Sequence, residues 1–164
     1  MLELREELTP KDPARLYALA AATGFFSREE AEVAAELAEE RLARGAASGY
    51  HFLLAEEAGE LLGFACFGPI PCTRASHDLY WIVVRPDRQG GGLGRRLLAA
   101  AEARIGATGG RRVYIDTSSR PQYAPTRAFY RACGFHQEAL LADFYDRNDG
   151  KVIFCKVLDP TSHR

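Results

Sequence analysis

The sequence predicts an α/β fold in which one strand runs through a glycine turn straight into a helix. Three observations carry that prediction. Strand-like and helix-like patterns follow one another in the order β-α-α-β-β-β-α-β-α-β-β. The apolar run Tyr80-Trp81-Ile82-Val83-Val84 passes through Gln89-Gly90-Gly91-Gly92-Leu93-Gly94 into a helical pattern with no long spacer. The 164 residues, 47% hydrophobic and 26% charged, suit a single domain over residues 1–164 with a full core.

Each element has its own warrant. Leu2 to Glu6 alternates as a first strand. Asp12-Pro13 opens a helix through about Ala22, with Asp12 as N-cap and proline at the first helical position. Ser27-Arg28-Glu29-Glu30 is a capping box, and Ala31, Ala34, Ala38 and Leu42 form the apolar stripe of the helix it starts, which ends at Gly45. His51–Glu56 and Leu61–Phe67 read as strands joined at Ala58-Gly59, and Gly68-Pro69-Ile70-Pro71 breaks the second. His77–Val84 is the fourth strand. The helix from Gly92 to about Ile105 places Leu93, Leu97, Ala101 and Ile105 on one face. Val113–Asp116 is a buried strand, Pro125 starts a helix to Cys133, and Gly134 caps it. His136–Phe144 and Val152–Val157 close the fold as a hairpin around Asn148-Asp149-Gly150.

A helix that opens in a glycine turn presents unpaired N–H groups and the positive end of its dipole. Glycines let backbone approach a ligand without a Cβ, so the turn suits a diphosphate, with Arg88 and Arg95 as added donors. It is not a Walker loop, because no lysine occurs between Lys11 and Lys151. The dinucleotide pattern Gly-x-Gly-x-x-Gly fails as well, since Leu97 or Arg95 falls where the third glycine belongs.

What fits is Gln/Arg-x-x-Gly-x-Gly, here Gln89 to Gly94 after Val84-Arg85-Pro86. This resembles the acetyl-CoA loop of the Gcn5-related N-acetyltransferases, the GNAT superfamily. About forty residues on, Thr126-Arg127-Ala128-Phe129-Tyr130-Arg131-Ala132-Cys133-Gly134-Phe135 is similar to the family's Phe-Tyr-x-x-x-Gly-Phe signature. The resemblance covers roughly Leu53 to Lys156.

The resemblance implies a single mixed, mostly antiparallel sheet of about seven strands with four helices, the fourth and fifth strands parallel and splayed around a pantetheine arm. It implies acetyl-CoA as co-substrate, no metal, and transfer of an acetyl group to a primary amine of a small molecule or peptide. Backbone groups of Ile82, Val83 and Val84 would pair with the pantetheine. The N–H of Val84 would face the thioester oxygen as negative charge grows there. Gln89, Gly90, Gly91, Gly92, Leu93, Gly94 and Arg95 would hold the diphosphate. Tyr130 matches the tyrosine that contacts the cofactor and protonates the departing thiolate; phenol and thiol pKa values of about 10 and 8.5 allow that transfer. An amine with pKa near 10.4 needs a proton acceptor. Asp116, at the end of the fifth strand, and Asp78, at the start of the fourth, each match a subset of members with an acid there; Asp116 is favoured, and solvent is the third option. Asp116-Thr117-Ser118-Ser119 also has the composition of a turn.

One departure stands out. Many members carry an asparagine seven residues before the tyrosine, where this chain has Tyr123 in a longer connection from Ser118 to Pro125. That places the connection among the walls of the acceptor pocket. The loop from Gly68 to Ser76 and the acids around Asp143-Phe144-Tyr145-Asp146 are further wall candidates, the acids reading equally as solvated turn residues. The competing reading of the whole chain is a catalytically idle CoA-binding sensor or interaction module.

Composition narrows the partners. Residues 1–60 carry thirteen acids against six bases, and residues 85–112 carry seven arginines against Asp87 and Glu102. That asymmetry suits steering of a polyanionic cofactor. Aromatic interleaving for nucleic-acid binding is missing. Cys66, Cys72, Cys133 and Cys155 show no Cys-x-x-Cys spacing, and His51, His77, His136 and His163 no metal-ligand spacing. No apolar run reaches membrane-spanning length and no secretory signal opens the chain, so a cytoplasmic location is expected. A homodimer remains open.

Overall fold

The computed structural model describes residues 1–158. Its elements, in chain order, are β1 (Glu3–Arg5), α1 (Asp12–Ala22), α2 (Arg28–Arg44), β2 (His51–Glu57), β3 (Glu60–Pro69), β4 (Ser76–Val84), α3 (Leu93–Ala107), β5 (Arg112–Ser118), α4 (Ala124–Ala132), β6 (His136–Asp146) and β7 (Asp149–Val157). The strands form one sheet in the order β1-β2-β3-β4-β5-β7-β6, antiparallel except for the β4–β5 pair.

Helices cover both faces. Leu93, Leu97, Leu98, Ala101 and Ile105 of α3 bury against one face with Tyr130 of α4. Leu16 and Leu19 of α1 and Ala34 and Ala38 of α2 bury against the other. The small residues of α2 let it lie close to the sheet, while Leu42, expected in the same stripe, is 38% exposed. The capping box forms as expected: Ser27 accepts from the Glu30 N–H and Glu30 accepts from the Ser27 N–H. Ala58 and Gly59 both take positive φ, the condition for a tight hairpin turn.

Three expectations are corrected. Asp12 is not the N-cap of α1. It is the first helical residue, and its buried carboxylate accepts from the Thr9 N–H and pairs with Arg5 and Arg15. β3 runs through Gly68 to Pro69 instead of breaking. β5 continues past Asp116, because Asp116, Thr117 and Ser118 find ladder partners in Ile153, Val152 and Lys151 of β7. Ladder pairing overrides their turn-like composition.

Two irregularities open the middle of the sheet. Cys66 pairs with Trp81 while Phe67 pairs with Leu79, so Tyr80 is an extra residue, a β-bulge in β4. The parallel contact of β4 with β5 is limited to Ser76–Arg112, His77–Val113 and Asp78–Tyr114. Beyond that point β5 pairs only with β7, and among the described residues the edge of β4 that faces β5 has no strand beside it from Leu79 to Val84.

Candidate active site

The glycine turn is built as a cradle. Gly90 and Gly92 have φ of +81° and +87°, a conformation glycine adopts without strain, and open space lies where a Cβ would stand. Gly92 is the N-cap of α3, and the first helical hydrogen bond runs from the Arg96 N–H to the Gly92 carbonyl at 3.0 Å. The N–H groups of Leu93, Gly94 and Arg95 therefore precede the helical ladder and face outward as donors. Gly94 lets the helix start lie against Phe129 and Val84, whose nearest atoms are 3.4 and 3.6 Å from a built Cβ. Gln89 closes the turn by donating from Nε2 to the Val84 carbonyl at 3.1 Å. Arg95 and Arg96 are exposed beside the cradle. Arg88, expected to add a phosphate contact, is instead held by Glu57 at the end of β2.

The cradle leads onto the open edge of β4. Six residues, Leu79 to Val84, span about 20 Å at the usual strand rise. Along that edge alternate N–H and C=O groups face the gap. Val83 buries its side chain toward α1 and α2, while Ile82 and Val84 pack on the α3 face. Backbone alone is thus presented to the gap.

Tyr130 lies on the α3 and α4 face and is 6% exposed. Its ring packs against Phe129, Phe135 and Phe154 at centroid distances of 5.6, 6.0 and 5.9 Å. Burial pushes the phenol up, with the nearby Cys133 adding to the effect. The hydroxyl is protonated at any physiological pH.

The two candidate carboxylates lie on the opposite face of the sheet from Tyr130. Asp78 pairs with Tyr114, and Asp116 follows two residues later, so the alternation of side chains puts both acids on one side. Asp78 is half-buried. Burial pushes its carboxyl up, and the Asp116 charge adds to the shift while Lys151 opposes it. Asp116 is more exposed and is ion-paired to Lys151, with Nζ 3.0 Å from Oδ2. Nothing in the local sequence around Asp116 announced that partner. The lysine comes from β7, and only the register of β5 with β7 delivers it.

Aromatic residues rim this face. Phe26 meets Trp81 edge-on at 4.9 Å, and Tyr50 meets Tyr80 at 5.5 Å. Burial and the charge of Asp78 push Tyr80 up to about 12. Burial, with Asp116 next, pushes Tyr145 up to about 12. The hairpin around Asp143 to Asp146 thus reaches the acids. Tyr123 donates from Oη to the Phe25 carbonyl at 3.0 Å, tying the connection before α4 to the segment between α1 and α2. Among the described residues no three His, Cys, Asp or Glu side chains converge as a metal-ligand set, and His163 lies outside those residues. Among the described residues no helix is long and apolar enough to cross a membrane.

A mixed sheet opened between two parallel strands, with a diphosphate cradle at the end of one of them, defines a protein class that holds an extended phosphorylated co-substrate by strand backbone. The model of the acetyltransferase (GNAT) family matches residues 13–135, and the chain belongs to that family. A GNAT-family protein from Desulfovibrio desulfuricans is 45% identical, with 96% of this chain and 99% of that chain covered and a TM-score of 0.94. An aminoglycoside 6'-N-acetyltransferase complexed with coenzyme A shares the fold at 18% identity, TM-score 0.76 and 98% coverage of each chain. The ribosomal-protein-S18-alanine N-acetyltransferase from Escherichia coli does so at 20% identity and TM-score 0.75, covering 97% of this chain and 95% of that one. No curated protein matches the sequence.

Proposed function

We propose that the protein is a cytoplasmic N-acetyltransferase that moves the acetyl group of acetyl-CoA to a primary amine of a small molecule or peptide, without a metal. The observation that carries this reading is the pair of approaches to one gap: cradle and strand edge on one side, carboxylates on the other. Four free cysteines, two of them buried, accord with a reducing compartment.

The residues fit the co-substrate. The N–H groups of Leu93, Gly94 and Arg95, with the Arg95 guanidinium, bind a diphosphate at the head of α3. An extended pantetheine arm is as long as roughly four residues of strand. Laid along β4 from the cradle, it reaches past Ile82, Val83 and Val84 to the bulge at Tyr80. Acetyl-CoA supplies an acyl carbon activated as a thioester. The N–H groups of β4 beside the bulge, rather than that of Val84, are then the donors facing its oxygen.

The same reach decides between the acids. Asp78 is two residues from the bulge, has no ion-pair partner among the described residues, and has its carboxyl raised toward the pH where a base works best. Asp116 is engaged by Lys151. The proposal therefore moves the proton acceptor from Asp116 to Asp78, which takes the amine proton at its carboxylate. Tyr130 Oη gives its proton to sulfur. The burial that raises the phenol also raises a thiolate beside it, so the two stay matched.

Thiol release from acetyl-CoA across a panel of primary amines tests the function. Turnover with at least one amine, and acetylated product by mass spectrometry, is expected. Tight CoA binding with no turnover of any amine would return the protein to the idle-module reading.

A further inference from the structure

Three charged groups from three strands meet on the acceptor face: Asp78 of β4, Asp116 of β5 and Lys151 of β7. Lys151 stands opposite Ser118, which makes Asp116 its diagonal neighbour. Its Nζ lies 3.0 Å from Asp116 Oδ2 and 4.6 Å from the centroid of the Phe144 ring. The ammonium is held on two sides, by a carboxylate and by an aromatic face. Only 20% of the lysine side chain is exposed.

Other acids near this face are engaged: Asp143 and Asp146 accept from the Asn148 and Arg147 N–H groups within their own hairpin. Asp149 accepts from the Ser118 hydroxyl and pairs with Arg120 at 3.3 Å. Glu30 accepts from the Ser27 N–H in the capping box. Among the described residues no cation pairs with Asp78, whose nearest charges on this face are Asp116 and Lys151.

We propose that Lys151 is a built-in ammonium occupying the seat of a second substrate charge, so that the acceptor site takes amines bearing one cationic group and rejects those bearing two. This rests on the N-acetyltransferase reading. Two facing carboxylates would otherwise suit a diamine, one ammonium on each. With Lys151 on Asp116, an incoming second ammonium meets a like charge in a partly desolvated site, where repulsion is screened less than in water. Specificity then comes from a repulsive element as much as from an attractive one.

The test compares putrescine with n-butylamine, the same carbon chain with and without the second ammonium. Wild-type protein is expected to favour n-butylamine in kcat/KM. Lys151→Met should shift the putrescine-to-butylamine ratio upward by about tenfold, the scale of one partly desolvated charge pair. Lys151→Gln should do the same with a polar head that protects folding, and Lys151→Arg, which keeps the cation, should hold the wild-type ratio. Equal ratios in wild type, Lys151→Met and Lys151→Gln would overturn the proposal while leaving the enzyme reading intact. A wild-type preference for putrescine would also overturn it. Acetyl-CoA binding with no turnover of either these or other amines would remove the enzyme reading and this proposal with it.

Discussion

A phenol packed among phenylalanines can serve as an acid only if its partner has lost the same water. Tyr130 is packed in that way, so the proposed thiolate has to be desolvated beside it. Tyr130→Phe keeps the shape and deletes the proton, so kcat should drop roughly 10²-fold, the scale of general acid catalysis. CoA affinity by calorimetry should hold; an unchanged kcat with a substrate limited by chemistry would make Tyr130 a core residue. Asp78 gives the complementary signature in pH. Its carboxyl is raised by burial and by Asp116, so the acidic limb of kcat/KM should lie above the ordinary carboxylate range. Asp78→Asn should abolish the limb. Asp116→Asn should keep it but move it to lower pH, because the repelling charge is gone and Lys151 is freed to favour ionised Asp78. The reverse pattern would hand the base role to Asp116. At this scale the sequence shows its motif residues because glycine turns and the Phe-Tyr pair are local. Lys151 is invisible there: it lies thirty-five positions after Asp116, and only strand register joins them.

At the scale of elements, α3 is the working part, and its first turn is the place to break it. Gly92 sits at φ +87°, where an L residue is strained, and a carboxylate there would face the diphosphate. Gly92→Asp should lower CoA affinity by tenfold or more in calorimetry while the fold persists, since no neighbour lies within 4 Å of the new Cβ. Wild-type affinity in the folded variant would put the diphosphate elsewhere. Periodicity reads the seven strands and four helices correctly, because most apolar stripes and alternations are buried against the sheet; the two edge strands β1 and β6, which carry no buried residue, are exceptions. It misplaces their ends. Asp116 to Ser118 has turn-like composition yet is held in β5 by three pairs with β7, and Asp12 looks like a cap yet serves two arginines instead. Ends depend on distant partners, and composition alone carries no record of them. The unpaired edge of β4 was legible only through the family resemblance.

For the molecule as a whole, the charge asymmetry of the sequence turns into contacts between distant parts. Glu57 pairs with Arg88 and Glu60 with Arg85 at 3.0 Å beside the cradle, and Glu6 pairs with Arg104 in the last turn of α3, so acids of the first sixty residues engage arginines at both ends of that helix. The most buried acid of the first sixty residues, Asp12, is held within that segment. Its carboxylate is fully buried and receives Arg5 at 2.8 Å, Arg15 at 3.0 Å and the Thr9 N–H at 2.7 Å. Glu56 binds the same two arginines at 2.6 and 2.8 Å, so one network joins β1, α1 and β2. Burial alone would raise the Asp12 carboxyl, but the hydrogen bonds from Arg5, Thr9 and Arg15 outweigh it and lower it from 3.8 to about 2. A carboxyl lowered on folding stabilises the native state above its unfolded value, and that contribution is lost as pH falls from near 4 to about 2. The shift corresponds to about 2 kcal/mol. Asp12→Asn keeps the shape and removes the charge, leaving Arg5 and Arg15 with one acid between them. Urea unfolding should show it less stable than wild type by about 2 kcal/mol at neutral pH, with the gap closing as both proteins are taken toward pH 2. A gap that stays constant across that range would mean that the variant loses only a hydrogen-bond acceptor for Arg5, Arg15 and the Thr9 N–H, and that the charge of Asp12 contributes nothing.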